Sequence, residues 1–168
     1  MKKIIAFVLF STIVGCQQNK IGYVDNVKLL DDYQEKKDVE AKYNAKVDAL
    51  TKKRDSISQA FQLELQAFQT KAQNMSQKSA QDEYAILQQK GQFVGQQLQQ
   101  EEQLLQQTGQ AEIDSVVSKV KSEIKAYGEA NGYSYILSGG DGGSVLYGTD
   151  TDNLTGQILQ ILNDNYKN

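Results

Sequence analysis

The chain has no proline, no tryptophan, no histidine and a single cysteine. Each absence excludes something. Without proline, nothing obligatorily breaks a long helix. Without histidine, the commonest general base and the commonest neutral metal ligand are missing. One cysteine allows neither an internal disulfide nor a cysteine zinc cage. Apolar residues are also scarce. They make up 39% of the 168 residues, which is little for a compact core in one domain. The mean hydropathy of -0.55 agrees. An enzyme with a buried pocket is therefore disfavoured.

What is present first is an export signal. Met1-Lys2-Lys3 is positive, Ile4 to Phe10 is continuously apolar, and Ser11-Thr12 follow. The run is too short to span a bilayer permanently. Ile13-Val14-Gly15-Cys16 resembles the bacterial lipobox, whose cysteine is acylated and becomes the mature N-terminus. Cys16 is thus the expected lipidation site, and the only cysteine stands where that motif needs it. Several acyl chains on one residue would anchor stably, whereas one chain binds marginally. Loss of residues 1–15 removes Lys2 and Lys3 and no acidic residue, so the net charge moves from -3 to -5. An acidic chain has no electrostatic case for nucleic acid. Gln17-Gln18-Asn19 is a polar spacer, and the anchor is expected to face the periplasm.

From about Asn26 to Asn131 the chain reads as helix. Glutamine is abundant there, yet Tyr43, Val47, Leu50, Ile57, Phe61, Leu65, Phe68, Ala72 and Met75 mostly keep three-four spacing. The two steps of four from Ile57 to Leu65 depart from a strict heptad and relax a left-handed supercoil. A stretch this long and this poor in apolar residues must fold back as an antiparallel hairpin. The tip is expected at Asn74 to Ala80, with Ser79 and Asp82 opening the return helix. The second arm carries Tyr84, Leu87, Val94, Leu98, Leu105, Ile113, Val116, Val120, Ile124 and Tyr127. Gly91, Gly95 and Gly109 weaken it and mark bends or close helix contacts. Aromatic residues on the three-four pattern fill the seam. Phe93 beside Val94, and Leu104 beside Leu105, cannot both face one narrow seam. Phe93 and Leu104 are therefore the candidates for an exposed arm surface.

The two ends read as strand. Lys20 to Asp25 alternates and is β-prone. Asp25 or Asn26 is expected to cap the first helix, with Leu29, Leu30 and Tyr33 on its apolar face. Gly128 or Asn131-Gly132 ends the return helix. Tyr133 to Leu137 is a strand, and Gly139 to Gly143 turns the chain. Ser144 to Tyr147 is expected as the partner strand of a hairpin. Asp152 or Asn153 starts a last amphipathic helix, with Leu154, Ile158, Leu159, Ile161 and Leu162 on its buried side. The GGDGG stretch lacks the GK[ST] ending of a phosphate loop and opens no helix, so it reads as a turn. Asp31-Asp32 and Glu101-Glu102 are adjacent on helices and point about 100° apart, which suits solvated faces rather than paired catalytic acids.

The order strand, helix, helix, strand, strand, helix leaves a meagre core that needs oligomerisation to be stable. At this point the chain resembles the Skp/OmpH family of periplasmic chaperones. The likeness rests on Lys20-Ile21-Gly22-Tyr23-Val24-Asp25 with Leu29-Leu30, and on Tyr133 to Leu137, Val145-Leu146-Tyr147 and Asp152-Asn153-Leu154-Thr155. The separation of these motifs by a long hairpin completes it. The resemblance implies a homotrimer. Strands and small helices of three chains would form a body, and three hairpins would enclose a cavity that holds unfolded outer-membrane proteins without ATP or any other cofactor. By position, Ile21, Tyr23, Ile136, Val145, Leu146, Leu159 and Leu162 would belong to the body. Two features depart from the well-known members: they are basic and commonly soluble, whereas this chain is acidic, with pI ≈ 5.0, and carries a lipobox.

The fold class expected is α+β, predominantly α: a long helical hairpin on a small β-strand body. Residues 1–15 are the signal peptide and 16–19 the anchor and spacer. Residues 20–168 form one domain, with 20–25 and 132–168 as body and 26–131 as arm. The function expected is a periplasmic, lipid-anchored, ATP-independent holdase. The alternative is a coiled-coil tether of the envelope. A tether needs a sealed seam and a polar exterior, while a holdase needs spare apolar surface.

Overall fold

The computed structural model describes residues 19–167. The signal segment and Cys16 lie outside the described residues. Strand β1 (Lys20–Asp25) leads into α1 (Asn26–Asp32), α2 (Gln34–Ala72) and α3 (Gln77–Ala130), then β2 (Tyr133–Gly139) and α4 (Thr155–Lys167). Helices α2 and α3 are the two arms of a hairpin, roughly 58 Å and 81 Å long at about 1.5 Å per residue. The base holds everything else.

β1 and β2 pair in parallel, with Ile21 opposite Tyr135, Gly22 opposite Ile136 and Tyr23 opposite Leu137. Alternation sends Gly22 and Val24 inward. There Val24, Leu29, Tyr33, Leu154, Ile158 and Leu162 form one core with Val116 and Val120 of α3. The root of α3 is therefore built into the base. Asp25 caps α1 by accepting from the Lys28 N–H at 2.9 Å. Asn131 caps the end of α3.

Three local expectations are corrected. The first helix is not continuous into the arm. Tyr33 is extended (φ -70°, ψ 123°) and separates α1 from α2. The break lets the Tyr33 ring enter the core, only 2% exposed. The Asn163 side chain accepts the Gln34 N–H that the break frees. Second, the return helix is capped by Ser76 rather than Ser79; Ser76 Oγ accepts from the Ser79 N–H at 3.2 Å. Third, Ser144 to Tyr147 is not a strand. Only the Val145 N–H reaches back, to the Ser138 carbonyl. The chain is then drawn across β1: Gly148 lies against the Tyr23 ring, Asn153 bridges to Tyr23, and the Leu154 N–H donates to the Tyr23 carbonyl at 2.8 Å. It leaves the β2 edge too soon to pair along it. Asn153 then accepts from the Thr155 N–H and opens α4.

The hairpin has almost no interior. Leu50 and Leu87 are the large side chains buried along its length beyond the root. Two glycines serve as sockets for aromatic knobs. A Cβ on Gly109 would stand 2.5 Å from the Tyr43 ring, and one on Gly91 would stand 3.0 Å from Phe61. Nearer the tip, Phe68 and Tyr84 stack at 6.0 Å. The arm glycines thus split into two classes, since a Cβ on Gly95 meets nothing within 4 Å. Replacing Gly95 by alanine is expected to stabilise the chain by up to about 1 kcal/mol through helix propensity. Gly109→Ala has the same propensity gain and is expected to destabilise, because the Tyr43 ring must move. Urea unfolding of both variants checks this, and a stabilised Gly109→Ala would contradict it.

Candidate functional surfaces

The candidate site is a pair of surfaces rather than a pocket. Among the described residues no cluster of His, Cys, Asp and Glu is placed to hold a metal. No helix among them is long and apolar enough to cross a membrane. The adjacent carboxylates Asp31-Asp32 and Glu101-Glu102 are engaged in ion pairs: Asp31 with Lys36, Asp32 with Lys28, Glu101 with Lys53 and Glu102 with Arg54.

Among the described residues, five of the seven cross-arm ion pairs follow a rule; Lys46–Glu112 and Arg54–Glu102 stand outside it. Glu35–Lys119, Lys42–Glu112, Lys53–Glu101, Glu64–Lys90 and Lys71–Glu83 join α2 to α3. On α2 these positions step by 7, 11, 11 and 7 residues, and on α3 they step back by the same intervals. Steps of 7 plus 11 make 18, which is five turns at about 3.6 residues per turn. The pairs therefore run in a line along one flank, and the arm is held without the drift that makes a heptad supercoil. Each exposed pair is worth little alone, about 0–1 kcal/mol. Together they fix the register of two helices that share few buried contacts.

At the root, the first pair is part of a latch. Glu35 accepts from the Lys119 ammonium and, at 2.5 Å, from the Tyr33 hydroxyl. Burial alone would raise the Glu35 pKa, but the hydrogen bonds from Lys119 and Tyr33 outweigh it and hold the carboxyl below its ordinary value. Burial, helped by the bond to Glu35, pushes the Tyr33 phenol up. Tyr166 of α4 meets Tyr33 edge-on at 6.3 Å and donates to Asp38 on α2 at 3.0 Å. The latch ties both arms to the terminal helix.

The first surface is the outer face of the sheet. β1 and β2 carry apolar side chains there as well: Ile21 and Tyr135 are opposite one another and exposed, and Leu137 is exposed beside half-buried Tyr23. Leu146 and Tyr147 stand out from the following loop, 99% and 87% exposed. Of the expected body residues, Leu162 is buried in the chain's own core. Tyr23, Ile136, Val145 and Leu159 are half-buried, and Ile21 and Leu146 face solvent.

The second surface is on the arms. Phe93 is 60% and Leu104 64% exposed, while their neighbours Val94 and Leu105 turn inward. Sequence reasoning missed two more. Leu63 on α2 and Ile86 on α3 are equally exposed. A signal existed for Ile86: it stands beside the seam residue Leu87, as Phe93 stands beside Val94.

Because Glu35 is bound as a carboxylate, its contribution is complete above the ordinary glutamate range. It fades as pH falls through the depressed value. Glu35→Gln is expected to cost on the order of 1 kcal/mol at neutral pH. The gap to the native chain should narrow as pH falls below the ordinary glutamate range, toward the depressed value. Chemical unfolding across pH checks this; a gap unchanged down to pH 3 would sink the latch.

The sequence model of the family described as outer membrane protein (OmpH-like) matches residues 20–162. No curated protein matches the chain. A solved structure of an OmpH-like protein from Caulobacter crescentus, described as a candidate outer membrane chaperone, superposes with a TM-score of 0.77 at 16% sequence identity. The match covers 88% of this chain and 85% of that one, and it establishes the likeness of fold. The chain belongs to the OmpH-like family of outer membrane proteins.

Proposed function

We propose that this OmpH-like chain is a periplasmic holdase chaperone that keeps unfolded outer-membrane proteins from aggregating, without nucleotide and without a catalytic step. The observation that carries this reading is the spare apolar surface of the arms. Leu63, Ile86, Phe93 and Leu104 are each at least 60% exposed. Exposed apolar residues spaced along an arm suit weak, multivalent holding of unfolded chains. A tether would seal its seam and turn a polar exterior outward, so these side chains favour the holdase.

The base supports assembly as a homotrimer. A two-stranded sheet that is apolar on both faces and covered on one is an incomplete structure. Ile21, Tyr135, Leu137, Leu146 and Tyr147 form the uncovered side. Packing three such faces together would bury them, complete the body and set three hairpins around a common space. Cys16, acylated, would hold the assembly at a membrane surface.

The test uses the mature chain from residue 16 with Cys16→Ser. It is added to a urea-denatured β-barrel membrane protein on dilution, and light scattering is followed alongside the native mass. Suppressed scattering by a species of three-chain mass is expected. A folded trimer that leaves aggregation unchanged would refute the holdase and return the reading to a tether.

A further inference from the structure

The charges along the middle of α3 are paired across the seam, and this bears on what that face holds. Between Tyr84 and Gln110, α3 contains three charged residues: Lys90, Glu101 and Glu102. Each is paired across the seam, with Glu64 at 2.5 Å, Lys53 at 2.6 Å and Arg54 at 2.7 Å. The same stretch contains eleven glutamines. Ile86, Phe93 and Leu104 follow one another at 7 and 11 residues, again a total of 18. They therefore lie in one line along the helix, about 27 Å long at about 1.5 Å per residue. On the helical projection this line borders the flank that carries the ion pairs. Leu63 sits on the same flank of the facing helix, next in sequence to the Glu64 that pairs with Lys90.

From this arrangement we infer that the Ile86–Phe93–Leu104 stripe is a charge-independent capture surface for extended, uncharged segments of unfolded polypeptide. The inference rests on the holdase reading and says what that holdase selects. Three apolar anchors in a bed of primary amides match a segment that is itself apolar and neutral-polar. The amide groups donate and accept hydrogen bonds to a backbone without favouring either sign of charge. Asp82, one turn before Ile86, marks the end of this wall; between Ile86 and Leu104 a charged client segment would lose solvation and find no unpaired counter-charge on α3 to replace it. The stripe is as long as about eight residues of extended chain at roughly 3.3 Å each. Attraction between opposite net charges is screened by salt, whereas burial of apolar surface is not weakened by it. Capture on this stripe is therefore insensitive to ionic strength.

The experiment uses the full mature chain with Cys16→Ser and its triple variant Ile86→Gln, Phe93→Gln, Leu104→Gln. All three positions are solvent-facing, and helical circular dichroism verifies that the variant folds. The probe is a fluorescently labelled, urea-denatured β-barrel membrane protein, titrated at 50 and 500 mM NaCl as order-of-magnitude low and high salt, roughly 13 Å and 4 Å of screening length. The native chain is expected to change its apparent affinity by less than about threefold between the two salts, and the triple variant to bind at least about tenfold more weakly at both. Capture that survives in the variant, or that falls tenfold with salt, overturns this inference and leaves the holdase intact. A variant that changes native mass and leaves capture untouched identifies the stripe as a contact between subunits, which also overturns it. No capture by the native chain refutes the holdase itself.

Discussion

The structure depends on the fact that two helices side by side have no inside. A layered domain buries its apolar residues from several directions, whereas a hairpin offers one line of contact. Along that line the chain uses the devices available to it. Aromatic rings of α2 close onto glycines of α3, with Tyr43 over Gly109 and Phe61 over Gly91. Ion pairs of matched spacing run along one flank. Neither device is strong alone. Their repetition sets the register and leaves the remaining apolar side chains without a place in the seam.

That constraint links stability to function. Charges in the middle of α3 are used to hold the arms together, and the apolar residues the seam cannot accommodate are what the arms present. The base compensates for a thin arm by taking in the root of α3 and fastening α2 through Tyr33, Glu35 and Lys119. It does so with a sheet of two strands whose outer face is left apolar. An unfinished base and an unsealed arm are two consequences of a chain with too little core. In the proposed assembly other subunits cover the first and clients occupy the second.

Much of this was legible in the sequence because the signals were local. The missing prolines and the three-four spacing foretold the arms, and the Asp25 cap foretold the start of α1. Phe93 and Leu104 each stand beside a better seam residue, so their exposure is visible in the sequence. What escaped was decided by tertiary contacts. Nothing at Tyr33 breaks a helix locally; the core wins its ring and the helix gives way. Ser76 and Ser79 are equally good caps on paper, and the position of the tip chooses between them. Ser144 to Tyr147 has the composition of a strand, but Tyr23 attracts the chain to the other edge of β1. The ion-pair row could be seen only once the register of the hairpin was known, since Lys53 and Glu101 are remote in sequence.

The central claim is that the two apolar surfaces serve different partners: the arm holds unfolded clients and the sheet face holds other copies of the chain. A photo-reactive phenylalanine analogue placed at Phe93 or at Tyr135, with irradiation in the presence of a denatured β-barrel protein, tests it most directly. The account predicts adducts to the client from position 93 and adducts between copies of the chain from position 135. Client adducts from position 135 alone, with none from position 93, would contradict it.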